Sequence, residues 1–154
     1  MNMTGTHLIP APRERVYAAL NDPDVLRACI PGCKELEMES PTDLSATVGV
    51  KIGPVKATFK GAVELKDLNP PTSYRIEGEG KGGIAGFAKG GADVRLADEG
   101  NGTRLDYEVD AKVGGKIAQL GGRLIDSTAK KLAGEFFDNF SEHLSDNRPV
   151  TGAA

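Results

Sequence analysis

The chain has 154 residues, enough for one domain with a sizeable core, and its net charge of −3 and pI near 5.4 come without a basic cluster in the sequence. This charge argues against nucleic-acid binding through phosphate neutralisation, so we expect no nucleic-acid partner. No apolar run approaches the roughly 18 residues of a membrane span, and the N-terminus is too polar for a signal peptide. We therefore expect a cytoplasmic protein.

The first thirty residues give one strand signal and two helix signals. Residues 3–9 predict a strand that ends at Pro10, and Pro12 suits the first turn of a helix that continues to Leu20. Asp22 and Pro23 then form an N-cap signal for a second short helix through Ile30. The sequence thus predicts two short helices in series after strand 1.

From Cys33 to Val113 the apolar residues recur at every second position, which is typical of strands with one buried face. Turn signals rich in Gly, Pro, Asn and Asp separate the segments. Six further strands are predicted, at residues 36–38, 44–52, 55–65, 74–78, 90–96 and 105–113. An antiparallel meander of this kind buries one face only, and that face needs a covering element.

The covering element is the last long segment, 115–144, whose apolar residues lie on one broad helical face. We expect an α+β fold in which a twisted, seven-stranded antiparallel sheet wraps around this C-terminal helix. Many of the inward residues of the sheet are small, including Ala46, Gly61 and Gly78. The space they leave is either filled by aromatic side chains or forms a cavity.

Glycines mark two further features. The run Gly78–Gly83 matches G-x-G-x-x-G, but more strand rather than a helix is expected after it, so we interpret it as a glycine-rich bend or loop. In the long helix, Gly121 and Gly122 indicate either close backbone packing or a hinge that lets residues 115–120 move as a gate.

No catalytic or metal-binding set stands out. The carboxylates of the sheet alternate onto its outer face, and the inward polar candidates reduce to Tyr74, Tyr107 and Thr128. Cys29 and Cys33 supply at most two metal ligands, so we expect no metal and no other cofactor, and we interpret them as structural thiols with a redox or ligand role as the alternative.

Five separated motifs lie, in this order, at residues 11–23 (APRERVYAALNDP), 29–33 (CIPGC), 53–61 (GPVKATFKG), 82–90 (GGIAGFAKG) and 115–126 (GKIAQLGGRLID). They are similar to the CoxG family of carbon monoxide dehydrogenase. The order of elements resembles the helix-grip fold of the START-like, or SRPBCC, superfamily, which includes the birch pollen allergen and polyketide cyclases. The resemblance covers about residues 1–144. It predicts one START-like domain over residues 1–145 and a flexible tail over residues 146–154.

The resemblance implies a small accessory protein of molybdenum hydroxylases of the carbon monoxide dehydrogenase type, whose subunits would be its partners. Members are thought to help attach the enzyme to the inner membrane face or to carry a lipophilic molecule such as a quinone. Many members continue to an apolar C-terminal anchor, whereas this sequence ends in a polar tail, so we expect peripheral membrane contact without an anchor. The sequence does not indicate an oligomeric state.

Two functions from different classes follow, with a purely structural assembly factor as a third. The first is a non-catalytic carrier that binds a lipid or quinone between sheet and helix, and the second is a cyclase- or dehydratase-type enzyme using the same cavity. An inward carboxylate or histidine would favour the enzyme, and the pattern indicates none, so we favour the carrier. Ile84 and Phe87 are interpreted either as a rim or docking knob or as ordinary packing. The predicted ligand-binding residues are Phe59, Val63, Phe87, Tyr107, Val109, Leu120, Leu124, Thr128 and Phe136, with Gly121 and Gly122 as the gate.

Overall fold

The sheet dominates the computed structural model, which describes residues 1–146. Its seven strands are all antiparallel to their neighbours and run in the order β1-β7-β6-β5-β4-β3-β2, so the chain meanders from β2 to β7 and β1 closes the far edge. The strands are β1 (Asn2–Ile9), β2 (Cys33–Met38), β3 (Asp43–Ile52), β4 (Val55–Asn69), β5 (Ser73–Lys81), β6 (Phe87–Glu99) and β7 (Gly102–Gly114).

Three α-helices accompany the sheet: α1 (Arg13–Leu20), α2 (Pro23–Cys29) and α3 (Gly122–Asp146). The side chain of Asp22 caps α2 by accepting a hydrogen bond from the Asp24 amide at 2.9 Å, with Pro23 at the first helical position, as the sequence predicts. Two 3₁₀ turns complete the chain, Gly83–Ala85 (the 83–85 turn) and Lys116–Leu120 (the 116–120 turn).

The start of the long helix differs from the prediction. The backbone has φ +81° at Gly115 and +94° at Gly121, so residues 116–120 form a separate 3₁₀ turn and α3 begins at Gly122 instead of Gly115. A positive φ is a backbone conformation that residues other than glycine rarely adopt, and it interrupts a right-handed helix. The apolar pattern did not show this break because Ile117 and Leu120 are three residues apart, which suits both helix types.

Alternation along the strands separates an inner from an outer face. In β4 every second residue from Val55 to Leu65 is buried or half-buried, while the Lys, Thr and Glu residues between them are exposed. Cross-strand pairing places Gly61 opposite Gly80 and Gly78 opposite Gly90 on the inner face. These glycines leave little side-chain volume on the part of the inner face where they lie.

The tightly packed core lies at one end of the sheet, beneath α1, α2 and the second half of α3. Its most deeply buried side chains are Phe140, Ile9, Leu105, Val16, Thr103 and Cys29. Helix α3 crosses the sheet diagonally, since Thr128 and Leu132 in its first half lie beside Val50 of β3 and Phe137 in its second half stacks on His7 of β1.

The predicted α+β architecture, a curved seven-stranded antiparallel sheet with two short helices after strand 1 and a long C-terminal helix, is confirmed. The Gly78–Gly83 run forms the end of β5 and the start of the 83–85 turn, and β6 follows it. Of the predicted tail over residues 146–154, all but Asp146 lies outside the described residues.

Candidate functional site

A cavity of about 330 Å³ lies between the inner face of the sheet and helices α2 and α3. Among residues 1–146, the side chains that line it are apolar except for the hydroxyl groups of two tyrosines, and none of them carries a charge. The wall is formed by Met3, Leu20, Leu26, Ile30, Leu36, Leu44, Ala46, Val63, Leu65, Tyr74, Ile76, Ala92, Val94, Leu105, Tyr107, Val109, Ala133, Phe136 and Phe137. A concave apolar space with few polar groups is the usual form of a small-molecule site.

The cavity exists because small residues face one another across it. Ala46 of β3, Ala92 of β6 and Ala133 of α3 all lie on its wall, at positions where larger side chains would fill the space. Four of the predicted ligand-binding residues lie on the wall as well: Val63, Tyr107, Val109 and Phe136.

Two predicted aromatic residues lie elsewhere, against glycines. The ring of Phe59 packs on Gly82, where a Cβ atom would come within 2.7 Å of the ring, and is not part of the cavity wall. The ring of Phe87 covers Gly114 on the neighbouring strand in the same way. Phe59 keeps the inward position predicted for its strand, but its ring is held over Gly82, just beyond the end of β5. Phe87, predicted in a loop, is the first residue of β6 and alternates with Lys89 and Asp93, so its side chain lies on the outer face, away from the cavity.

The predicted residues from the start of the long helix are also outside the wall. Leu124 lies beside Gly53 in the β3–β4 turn, Thr128 lines a shallow surface depression together with Pro31 and Lys51, and Leu120 belongs to the 116–120 turn. The diagonal course of α3 brings only its second half over the cavity. The predicted gate residues Gly121 and Gly122 form the joint between that turn and α3.

The glycines of α3 are not sites of close packing. A Cβ atom at Gly121, Gly122 or Gly134 would meet nothing within 4 Å. Of the two explanations for the Gly121-Gly122 pair, close packing on the sheet is therefore wrong.

A histidine lies on the inner face, contrary to the prediction that none does. His7 is stacked on Phe137 with ring centroids 4.1 Å apart, and Tyr107 stacks on the other two rings at 5.6 and 5.9 Å. Burial lowers the pKa of His7, and nearby Asp138 partly offsets this. The sequence could have predicted the inward position of His7, because it alternates in β1 with Met3, Gly5 and Ile9. His7 is separate from the cavity wall, on which Tyr107 and Phe137 lie.

The carboxylates lie on the outer face of the sheet, as expected. Arg75 is the centre of an ion-pair network there, with Asp93 at 3.1 Å, Asp110 at 3.2 Å and Glu77 at 3.6 Å. Gly91 leaves the room that the guanidinium needs, since a Cβ atom at that position would come within 2.6 Å of Arg75 Nη2. None of these charges is near the cavity.

Both cysteines are free thiols. Cys29 is buried in the core and Cys33 is half-buried, and desolvation raises the pKa of each thiol. Asn139 of α3 donates a hydrogen bond to the Cys29 carbonyl at 3.0 Å, so the CIPGC segment joins α2 to the long helix. Among residues 1–146 no group of three or more His, Cys, Asp and Glu side chains is arranged to hold a metal ion.

The fold gathers a basic surface that the sequence does not show as a cluster. The hairpin ends of the sheet and the start of α3 meet at one end of the molecule, which we call the basic end: segments 49–60, 80–90 and 111–123. These segments hold eight of the 19 Lys and Arg residues of the chain and none of its 22 Asp and Glu residues. The eight are Lys51, Lys56, Lys60, Lys81, Lys89, Lys112, Lys116 and Arg123.

Three pairs of lysines lie directly opposite each other at the basic end: Lys51 and Lys56, Lys60 and Lys81, and Lys89 and Lys112. Like charges in such positions destabilise a sheet. Exposed apolar side chains accompany them, with Ile84 of the 83–85 turn 91% exposed and Phe87 44% exposed. In the described part of the chain no helix is long and apolar enough to cross a membrane.

Comparisons with known proteins agree with this architecture. A conserved protein from Geobacillus kaustophilus is 31% identical, with a TM-score of 0.89 over 95% of this chain and 96% of its own. A START superfamily protein from Mycobacterium smegmatis is 14% identical (TM-score 0.73; 96% and 99% covered), and BexL, a di-domain ARO/CYC from the BE-7585A biosynthetic pathway, is 16% identical (TM-score 0.67; 97% and 51% covered). These last two show the fold alone.

No curated protein sequence matches the chain. The model of the carbon monoxide dehydrogenase CoxG family, by contrast, matches residues 5–145, which is nearly the whole length of the sequence. The chain therefore belongs to the CoxG family of carbon monoxide dehydrogenase.

Proposed function

We propose that this protein is a non-catalytic accessory protein of a carbon monoxide dehydrogenase-like molybdenum hydroxylase, and that it binds a lipophilic ligand, a lipid or quinone, in the cavity. The observation that carries the proposal is the apolar cavity beneath α3, whose wall has no charged group from the described residues. Water is held poorly in such a space because a buried water needs two to four polar partners. An apolar ligand makes few hydrogen bonds to water, so it gives up little when it moves from water into this cavity.

The test compares two substitutions at neighbouring positions of α3. Ala133→Phe adds a ring at the cavity wall, whereas Gly134→Ala adds a methyl group where a Cβ meets nothing. We expect Ala133→Phe to abolish binding of a neutral fluorescent lipophile such as phenylnaphthylamine, and to abolish co-purification of any apolar molecule found by organic extraction and mass spectrometry. Gly134→Ala should bind as the parent does. Equal binding by all three proteins would refute a cavity site.

The enzymatic alternative, a cyclase- or dehydratase-type activity, needs a titratable group that reaches the substrate. His7 is the best candidate on the inner face, but Phe137 and Tyr107, which stack on it, lie on the cavity wall and His7 does not. The two tyrosines of the wall are weak acids whose pKa values burial raises further. This arrangement supports binding rather than catalysis.

The membrane part of the proposal rests on the basic end. Six of its eight cationic residues are lysines in three facing pairs, and within the described part of the chain only Lys81 of these six has an ion-pair partner, Glu79, at 3.9 Å. An anionic bilayer would relieve the repulsion within the pairs, and each Lys near such a surface contributes about 1 kcal/mol of binding. Ile84, at the tip of the 83–85 turn, is placed to insert at the headgroup level.

Vesicle sedimentation tests this. We expect the protein to bind vesicles containing phosphatidylglycerol, to ignore pure phosphatidylcholine, and to be released by salt. Replacing both Lys51 and Lys56 by Gln should weaken binding about thirtyfold, since two contacts of about 1 kcal/mol each contribute about 2 kcal/mol. Ile84→Ser should also weaken it, while Leu8→Ser, a loss of another exposed apolar side chain on β1, should not.

Equal binding to neutral vesicles, or equal effects of Ile84→Ser and Leu8→Ser, would refute docking through the basic end. Binding to DNA as tight as to anionic vesicles would point to a nucleic-acid partner instead.

A further inference from the structure

The Tyr74 hydroxyl has no hydrogen-bond partner among residues 1–146. Tyr74 lies on β5 on the inner face of the sheet, is 4% exposed, and is part of the cavity wall. Its ring packs edge-on against Tyr17, 5.4 Å away, whose own hydroxyl donates a hydrogen bond to the Ser73 carbonyl at 3.1 Å. No described residue accepts a hydrogen bond from Tyr74 in the same way.

That hydroxyl opens onto the cavity. Among the described residues, Asn21 Oδ1 is the one side-chain polar atom that is both fully enclosed and unpaired. The Tyr74 hydroxyl is unpaired but not fully enclosed, and the space that Tyr74 lines is the cavity. Burial raises the pKa of Tyr74 far above its usual range, so the group stays protonated at neutral pH and acts as a donor.

The other tyrosine of the cavity wall is Tyr107, whose hydroxyl lies over Gly5 of β1. Tyr74 pairs with Val94 across β5 and β6, and Val94 pairs with Tyr107 across β6 and β7. Two strand spacings therefore separate the two tyrosines, about 10 Å between their Cα atoms. Burial raises the pKa of Tyr107 as well, so both wall hydroxyls are neutral. The described residues of the wall include no cation that would compensate an anionic ligand.

We infer that the ligand is a neutral lipophile that carries an acceptor oxygen, of ketone or ester type, and that the Tyr74 hydroxyl donates the hydrogen bond that selects it. An unpaired buried hydroxyl is costly, whereas a ligand oxygen would satisfy it at little expense. A hydrocarbon leaves the hydroxyl unpaired, and a carboxylate brings an uncompensated charge into an apolar space. The inference rests on the proposed cavity function and specifies its ligand class.

The test uses three probes of equal chain length that compete with phenylnaphthylamine: methyl decanoate, decane and decanoate at neutral pH. For the parent protein we expect methyl decanoate to bind about tenfold more tightly than decane, and decanoate to bind most weakly. Tyr74→Phe removes only the hydroxyl and should reduce the preference for the ester over the alkane to nearly nothing. Alkane binding and thermal stability should be unchanged or slightly improved in this variant, because an unpaired polar group has been removed.

Tyr17→Phe is the matched control, since it deletes a hydroxyl from the other ring of the same pair, outside the cavity. It should retain the ester preference of the parent. If Tyr107→Phe removes the preference and Tyr74→Phe does not, the assignment to Tyr74 is overturned. If all probes bind equally to every variant, the selection of an acceptor is wrong while the cavity function stands. If no probe binds the parent protein, the proposed function itself fails.

Discussion

The ring of Tyr107 occupies the space that a side chain at Gly5 would need. The two residues are directly paired across β1 and β7, and a Cβ atom at Gly5 would lie 2.5 Å from three atoms of the phenol ring. Glycine at this position lets the ring lie across β1, where it stacks with His7 and Phe137 and still reaches the cavity wall. The edge strand therefore helps to position a wall residue of the cavity.

This relationship predicts a coupled pair of mutations. Gly5→Ala should lower the free energy of unfolding by about 1–3 kcal/mol, because the ring must leave its packed position. In a Tyr107→Leu background the same change should cost much less, which a double-mutant cycle from urea unfolding would measure. Thr4→Ala, on the outer face of the same strand, is the control. Equal costs of Gly5→Ala in both backgrounds would show that the ring is not the obstacle.

Alanine substitutions at Gly134, inside α3, and at Gly121, just before α3, should change the stability in opposite directions. Gly134 lies inside α3 with open space around its Cβ position, so Gly134→Ala should raise the free energy of unfolding by about 0.5–1 kcal/mol. Gly121 has equally open space but a φ of +94°, so Gly121→Ala should lower it by about 1–2 kcal/mol. Thermal unfolding of the two variants tests this, and a shift in the same direction for both would contradict the backbone conformation at Gly121.

The sequence predicted elements better than their junctions. Alternation revealed the inner face of each strand, and pattern and length revealed the long helix. The break in the helix at Gly121 was not predicted, because glycine is compatible with either sign of φ and composition alone does not reveal a left-handed residue. Only some of the residues of the cavity wall were predicted, for a related reason. Val63 and Val109 follow from alternation, whereas the position of the Phe59 ring depends on Gly82, beyond the end of β5. Phe87 lies on the outer face because β6 extends back to it, where its alternation is that of Lys89.

Surface charge was the other feature that needed the fold. The lysines of the basic end are spread over three segments separated by twenty residues or more. Only strand pairing brings Lys60 opposite Lys81 and Lys89 opposite Lys112. His7, by contrast, could have been placed on the inner face from β1 alone, since Met3 and Ile9 share its alternation.

His7 predicts a pH dependence of stability. Its pKa is lowered in the folded protein, mainly by burial, with Asp138 acting in the opposite direction. As pH falls, the imidazole of His7 is therefore protonated at a higher pH in the unfolded chain than in the folded protein. The stability linked to His7 is complete above its ordinary pKa near 6.5, and it is lost as pH falls from there towards the lower pKa of the folded protein. His7→Phe keeps a ring on Phe137 but removes the titration. Urea unfolding between neutral pH and about pH 5 should show a shallower loss of stability for the variant than for the parent protein. Parallel profiles would mean that burial does not disfavour the charged imidazole.

The joint at Gly121-Gly122 predicts the way into the cavity. The 116–120 turn has a positive-φ glycine at each end, and Ile117, 3% exposed, is its one buried side chain. The second half of α3 is fixed in the core by Phe140 and Leu144. The turn and the start of α3 are thus held by few contacts and should open at modest free energy, whereas lifting the whole helix would expose the core. Because Gly121 needs its positive φ, stiffening the joint calls for Gly122→Ala, with Gly121 retained.

We expect Gly122→Ala to slow both uptake and release of a bound lipophile by about fivefold, as a helix stabilised by about 1 kcal/mol at the joint opens less often, with little change in equilibrium affinity. Ile117→Ala should accelerate both steps by removing the anchor of the turn. Stopped-flow fluorescence with phenylnaphthylamine measures the rates, and equilibrium titration gives the affinity. Gly134→Ala makes the same substitution in the same helix but away from the joint, so it should stabilise α3 without slowing exchange. If the Gly122→Ala, Gly134→Ala and Ile117→Ala proteins are all folded and all exchange ligand at the same rate, the entrance to the cavity does not lie at this joint.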